Sequence, residues 1–159
     1  MIKIKLNYIL SAIVAALLVL CVASVYAPMS FDNQKTKREK TVKERLVTIR
    51  KAEEAYKQKY GIYTADFNKL VGNKLIDDSI QYVPFSQKAK FELTTTVHTG
   101  KSGTTTSLME CGTTYNIYLN GLDEKKIAEI TEDANTRGEY PGLKFGDITT
   151  PNDNAGNWE

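Results

Sequence analysis

The chain has 159 residues, of which 42% are hydrophobic and 25% charged, and this is enough for one domain. Its 10 Gly, 4 Pro and 2 Cys exclude a collagen-like repeat and a disulfide scaffold. The net charge of +2 conceals two opposite parts: residues 35–60 carry ten basic and four acidic side chains, whereas residues 61–159 carry nine and fourteen. The chain is not basic enough overall for us to expect a nucleic-acid partner.

Residues 9–27 form an apolar run, ILSAIVAALLVLCVASVYA, without a charged side chain. About nineteen residues in a helix are just long enough to cross the hydrocarbon core of a membrane. Tyr8 and Tyr26 bracket the run at the depths where aromatic rings favour the interface. The pattern predicts a transmembrane signal-anchor over 9–27, preceded by a cytoplasmic N-tail over 1–8.

Two other leader types compete with the anchor. A cleaved signal peptide would end after Ala27, but the apolar run exceeds a usual signal-peptide core, and Pro28 would obstruct the peptidase. A lipoprotein signal would use Cys21, but the bulky Leu20 precedes it and the apolar run continues beyond it. We therefore favour the anchor, with Cys21 as a small side chain within the membrane.

The charges that flank the anchor disagree about orientation. The basic residues after the run outnumber Lys3 and Lys5 before it, so the positive-inside rule read literally keeps the C-terminal part in the cytoplasm. A short basic N-tail before a single anchor usually stays inside. On that ground we expect residues 61–159 outside the cytoplasm.

Residues 28–60 are predicted to form a basic amphipathic helix, because residues 32–60 contain no Gly or Pro and many good helix formers. Apolar side chains recur at spacings of three and four, at Val42, Leu46, Ile49, Ala52, Tyr56 and Tyr60. Residues 35–41 are polar on all sides, so we expect them to stand in solvent or to meet another subunit, not to pack on their own head. Gly61 is the expected C-cap.

Residues 61–159 are predicted to form an α+β head. Thr64 would cap a short helix that buries Phe67, Leu70 and Val71. Three segments are predicted to form an antiparallel meander, with strands over 91–98, 104–111 and 114–119 and a turn over 99–103.

The rest of the head is predicted to be one helix and a loop. Asp123 would cap the helix, Gly138 would end it, and Ile127, Ile130, Thr131 and Ala134 would share its buried face. The last twenty residues are rich in Gly, Pro and Asn, so we expect a loop that is ordered by tertiary contacts such as docking of Trp158.

This layout resembles the type IV pilin and type II secretion pseudopilin family. The resemblance rests on the run 49–56, on Tyr60-Gly61-Ile62-Tyr63-Thr64 with Leu70, and on the terminal 155–159, Ala-Gly-Asn-Trp-Glu. The segment 5–10 lacks the Gly and the Glu that prepilin peptidase substrates carry, so the chain resembles a divergent branch.

The resemblance implies a fold in which a long N-terminal helix, membrane-spanning and then amphipathic, packs on a small antiparallel sheet. It implies a single-pass protein of the bacterial inner membrane, with its head in the periplasm, that serves protein transport or fibre assembly. Such a subunit associates with itself or with other pilin-like envelope proteins. The predicted interaction residues are Val42, Leu46, Ile49, Tyr56, Tyr60 and Trp158.

No pattern of catalytic residues is found, and we do not expect an enzyme. His98 is the single histidine and has no nucleophile motif beside it, Cys111 has no partner at metal-ligand spacing, and Gly100-Lys101-Ser102 reads as a hairpin turn. Asp147 and Asp153 are weak candidates for a calcium site, although Asx residues in such a loop usually satisfy their own backbone. No other cofactor is expected.

The function that the sequence favours is a membrane-anchored structural subunit that acts by association, in which the basic helix of one copy meets the acidic head of the next. The alternative is a membrane-tethered binding module that captures a peptide or a glycan at its Thr-rich sheet edge and does not polymerise.

Overall fold

The computed structural model describes the backbone of residues 6–99 and 105–159, and the side chains of these residues except 6, 7 and 23–28. In this part of the chain the structure is α+β, as predicted, with helices and one small three-stranded antiparallel sheet. The chain divides into two compact units, Met1–Thr36 and Lys37–Glu159.

The helices are α1 (Leu6–Tyr60), α2 (Phe67–Gly72), a 3-10 helix (Asp78–Gln81), α3 (Tyr115–Tyr118) and α4 (Glu124–Thr136). The strands are β1 (Glu92–Thr99), β2 (Thr105–Thr114) and β3 (Gly142–Gly146). Both pairs of neighbours in the order β1-β2-β3 are antiparallel.

The helix α1 is 55 residues long and ends at Tyr60, where the sequence predicts its end. Gly61 has φ +82° and donates its N–H to the Lys57 carbonyl at 2.7 Å, which confirms the predicted C-cap. Among the described residues, no helix combines the length and the apolar character needed to cross a bilayer. The side chains at the end of the predicted span, 23–27, lie outside the described residues.

The prediction of a third strand over 114–119 is wrong. Residues 115–118 form α3 instead, and the neighbouring Tyr118 and Leu119 are both fully buried. A strand would point these two side chains to opposite faces, whereas a helical turn that is covered by the head can bury both. The alternation of apolar residues over 114–119 is too short to distinguish the two structures.

The third strand of the sheet is instead β3, which lies in the segment predicted to be a loop. Its end glycines lie against β2: a Cβ on Gly142 would come within 2.2 Å of the Thr113 carbonyl oxygen, and one on Gly146 within 2.1 Å of the Met109 carbonyl oxygen. Glycine here permits close approach of two backbones, although its usual effect is to weaken a strand.

The prediction of α4 is confirmed, and the predicted cap of α2 is wrong. Asp123 accepts the N–H groups of Lys125 and Lys126 at the start of α4, and Ile127 and Ala134 are buried. In contrast, α2 is capped by Asp66, which accepts the Asn68 N–H at 2.9 Å. Thr64 is buried, and its N–H is directed away from α2, to a carboxyl of α1.

The core of the second unit forms around the apolar stripe of α1. Val42, Leu46 and Ile49 have no exposed surface, and neither do Met109 and Cys111 of β2. Side chains at alternate positions of β2 share a face, so Met109 and Cys111 lie on one side of the sheet. The amphipathic part of α1 is therefore part of the head's hydrophobic core.

Candidate functional site

The first part of α1 presents apolar side chains to the outside in every direction. All side chains from Tyr8 to Val22 are exposed, and the large hydrophobic ones are 45–70% exposed. Cys21 is among them. A helix that is apolar on all sides is stable only in apolar surroundings, because water is a poor solvent for all of its faces. The exposed segment 8–22 is therefore the first candidate interaction surface.

The predicted interaction residues separate into buried and accessible ones. Val42, Leu46, Ile49 and Tyr56 are buried in the head's own core, and they are not available to a second molecule in this structure. Tyr60 is 46% exposed and donates its hydroxyl to Asn73 Oδ1 at 2.6 Å.

Trp158 docks in the head, as the sequence predicts. Its ring lies so close to Gly156 that a Cβ there would meet the indole at 2.6 Å. The Lys43 ammonium lies 6.0 Å from the centre of the ring. The terminal residues are therefore ordered by contacts with the body of the head and with α1.

Three arginines of α1 bind loops of the head, a feature that the sequence analysis does not predict. Each guanidinium donates to main-chain carbonyls of a different segment of the head: Arg38 to Tyr118 and Asn120 at the end of α3, Arg45 to Ser79 and Tyr82 at the 3-10 helix, and Arg50 to Asn154 in the terminal loop. Charged donors make stronger hydrogen bonds than neutral ones. No pattern near these arginines in the sequence indicates the carbonyls that they bind, because each partner lies more than thirty residues away.

The expectation that residues 35–41 do not pack on their own head is wrong for two of them. Besides its two carbonyl contacts, Arg38 lies over the Phe85 ring at 5.0 Å from the ring centre. Glu39 accepts the Tyr118 hydroxyl at 3.3 Å. Polar side chains that hydrogen-bond loop carbonyls can pack on a head without an apolar stripe.

The carboxyl of Glu53 lies inside the head. The residue has no exposed surface, and one oxygen, Oε2, accepts the Thr64 N–H at 2.9 Å. The other oxygen, Oε1, is buried without a hydrogen-bond partner among the described residues. Burial raises the pKa of this carboxyl to about 7, and the Thr64 N–H opposes the shift. Its charge is felt by the Cys111 thiol, whose pKa is raised first by burial and then by Glu53.

The two weak calcium candidates lie in an Asx-rich terminal loop. Asp147 Oδ1 accepts the N–H of Thr149 at 2.6 Å and that of Thr150 at 3.1 Å, and also the Thr149 hydroxyl. These bonds lower the pKa of Asp147 to about 2. Asp153 is exposed and has φ +54°. Within the described residues, no three His, Cys, Asp or Glu side chains come together as a metal site.

The remaining residues considered for chemistry are His98, Cys111 and the turn that contains Gly100-Lys101-Ser102. His98 is exposed, and its Nε2 is 3.3 Å from the Ile148 carbonyl oxygen. Cys111 is fully buried in β2. The turn that contains Gly100-Lys101-Ser102 lies outside the described residues.

Charged surfaces of opposite sign lie on α1 and α4. On α1, Lys37, Lys40 and Lys51 are exposed. On α4 the exposed acidic side chains are Glu124, Glu129, Glu132 and Asp133. This distribution matches the predicted division of charge, and it leaves both surfaces accessible to a second molecule.

Comparisons with protein-family models, with curated proteins and with solved structures yield no match to this chain.

Proposed function

We propose that the chain is a membrane-anchored structural subunit of pilin-like architecture, which acts by association with further subunits in an envelope secretion or fibre assembly. The observation that carries the proposal is the first part of α1, where every described side chain from Tyr8 to Val22 is exposed. The uncharged run in the sequence extends to Ala27, beyond the described side chains, and it has the length of a membrane span.

The pilin-like part of the proposal is supported by the second unit. There α1 contributes a buried stripe to a core that it shares with a small antiparallel sheet, and the terminal Trp158 docks on the same unit. A single helix that is apolar first and amphipathic later can serve both as an anchor and as the spine of a head. We place the head in the periplasm, as the short basic N-tail favours.

Association is supported by the accessible charges. The exposed lysines of α1 and the exposed carboxylates of α4 carry opposite charges, so α1 of one copy can attract α4 of the next. Such a contact joins two different surfaces, and repeated contacts of this kind build open helical assemblies.

The test uses a zero-length carbodiimide reagent, which joins an amine to a carboxylate, on native membranes that contain the full chain. We expect a ladder of covalent multimers in the membrane fraction, with crosslinks between lysines of α1 and carboxylates of α4. Glu132→Lys, which reverses an exposed charge of α4, should reduce the ladder several-fold.

The matched control is Glu44→Lys, which makes the same change at an exposed position of α1 itself. Because α1 is already basic, this variant should keep the ladder. Recovery of the full chain as a soluble monomer without crosslinks would overturn the proposed function.

A further inference from the structure

The strand β1 is an edge of the sheet and is open along most of its length. The order β1-β2-β3 leaves one side of β1 unpaired by the sheet. On this side, the two residues just before β1 are covered: Lys90 forms a bridge with Tyr82, and the Phe91 N–H donates to the Gln81 carbonyl at 3.0 Å. From residue 92 to 99, no other backbone hydrogen bond between described residues reaches this side.

The opposite edge of the sheet, formed by β3, is covered by another segment. There the terminal segment lies along β3, with Phe145 bridged to Gly156 and the Asn157 N–H bonded to the Lys144 carbonyl at 2.9 Å. Among the described residues, the terminal segment therefore covers one edge of the sheet, and no segment covers β1 from 92 to 99. A long free edge is a template for pairing with another strand.

The direction of the free backbone groups follows from Phe91. Its N–H points to the outer side, and the direction of these groups alternates along an antiparallel strand. The outward N–H and C=O groups of β1 therefore belong to Leu93, Thr95, Val97 and Thr99. The residues between them bond to β2.

Nothing in β1 blocks such pairing. Its eight residues, ELTTTVHT, contain no Lys, Pro or Gly, which are the residues that commonly protect an edge or interrupt it. Val97 on this strand is 52% exposed. The edge is thus both open and chemically suited to a second strand.

We propose that β1 pairs antiparallel with β1 of a second copy of this chain, with Thr96 opposite Thr96 on a two-fold axis. In this register Leu93 lies opposite Thr99 and Thr95 opposite Val97, so every outward N–H and C=O of both strands finds a partner. A shift by two residues one way needs the Phe91 N–H, which Gln81 already holds, and a shift the other way needs residue 101, beyond the strand.

The side chains fit this register as well. His98 of one copy lies opposite Thr94 of the other and diagonal to Glu92, on the same face, so an imidazole N–H can donate to the Glu92 carboxylate. Val97 becomes the diagonal neighbour of Leu93 and Val97 of the second copy, which covers its exposed surface. No like charges face each other, because the single carboxylate of each strand lies at its start.

This inference rests on the proposed association for its context and names one interface of that association. It is a symmetric contact between identical surfaces, whereas the contact of α1 with α4 joins different surfaces. The two can therefore fail independently, and each has its own crosslink.

The test is disulfide formation in the full chain in native membranes, with Cys21→Ala as the background so that no other exposed cysteine is present among the described residues. Thr96→Cys places two thiols in a non-hydrogen-bonded pair with Cα atoms about 4.5 Å apart, within the range that a disulfide bridges. Thr94→Cys is the matched control, because its two copies would be displaced by four residues, roughly 13 Å along the strand. We expect at least a tenfold excess of disulfide-linked dimer for Thr96→Cys.

A second cysteine pair keeps the test decisive if Thr96→Cys fails to fold. Chains with Thr95→Cys mixed with chains with Val97→Cys should form more mixed dimer than either forms alone. Val97→Lys in the Thr96→Cys background should abolish the dimer by placing lysines beside each other, whereas Thr106→Lys, at an exposed position of β2, should leave it intact.

Equal crosslinking at 94 and 96, or no dimer in either assay, overturns the β1 pairing. If the carbodiimide ladder persists in that case, the proposed function stands and only this interface is lost. A chain that stays monomeric but binds an extended peptide along β1 also overturns the proposal, in favour of a binding module.

Discussion

At the scale of single residues, the burial of Glu53 makes the stability of the head depend on pH. The folded state raises the pKa of this carboxyl from 4.5 to about 7, so the folded chain holds the proton more tightly than the unfolded chain. Below pH 4.5 both states are protonated and there is no penalty. As pH rises to about 7 the unfolded state ionises first, and the free energy of unfolding falls.

We therefore expect Glu53→Gln to stabilise the chain at pH 8 and to change little at pH 4.5. The gain at pH 8 should be on the order of 3 kcal/mol, since one pKa unit corresponds to ~1.4 kcal/mol and the pKa rises from 4.5 to about 7. Urea unfolding of the full chain in detergent at both pH values measures it. Glu54→Gln, at the next and half-buried position, is the control and should not alter the pH dependence. If the free energy of unfolding changes by the same amount between the two pH values in the Glu53 variant and in the wild type, the role of Glu53 is contradicted.

At the scale of elements, the arginines of α1 bind segments of the head through main-chain carbonyls. The clearest case is Arg45, whose Nη1 donates to the Ser79 carbonyl at 2.9 Å and also to the Tyr82 carbonyl. This pair of bonds ties the 3-10 helix to α1. Tyr82, the residue after the 3-10 helix, bridges to Lys90 shortly before β1 begins, so this contact also links α1 to the segment that leads into β1.

Arg45→Met keeps the aliphatic stem and removes the donor. We expect a loss of about 1–3 kcal/mol, the usual cost when hydrogen bonds to a charged group are lost. Hydrogen exchange should accelerate at residues 80–83, while the amides of α4 keep their protection. Lys51→Met, a similar change at an exposed position of α1, should affect neither. Unchanged exchange at residues 80–83 in the Arg45 variant would contradict this role.

At the scale of the whole molecule, the sequence predicts the elements whose signals are local. The end of α1 at Gly61 and the cap of α4 at Asp123 depend on residues within a turn of the boundary, and both are found in the structure. The pattern of Phe91–His98 predicts β1 for the same reason, because alternation is visible within the strand itself.

The features that the sequence does not predict depend on residues far apart in the chain. The strand β3 looks like a loop because its glycines are needed only against β2, where Gly142 pairs with Thr114, 28 residues earlier, and Gly146 with Glu110, 36 residues earlier. Likewise, nothing near Arg38 or Arg45 indicates that loops of the head bring carbonyls to them. Glu53 looks like one more solvated charge of a basic helix, and only the packing of the head shows that it is buried.

The most direct test of the membrane anchor is the intact mass and the N-terminal residue of the protein purified from its native membranes. An anchor predicts a protein in the membrane fraction whose mass and N-terminal residue show that residues 9–27 are retained. A soluble chain that begins at Pro28 would contradict it, because the apolar run 9–27 would then be a removed leader and not an anchor.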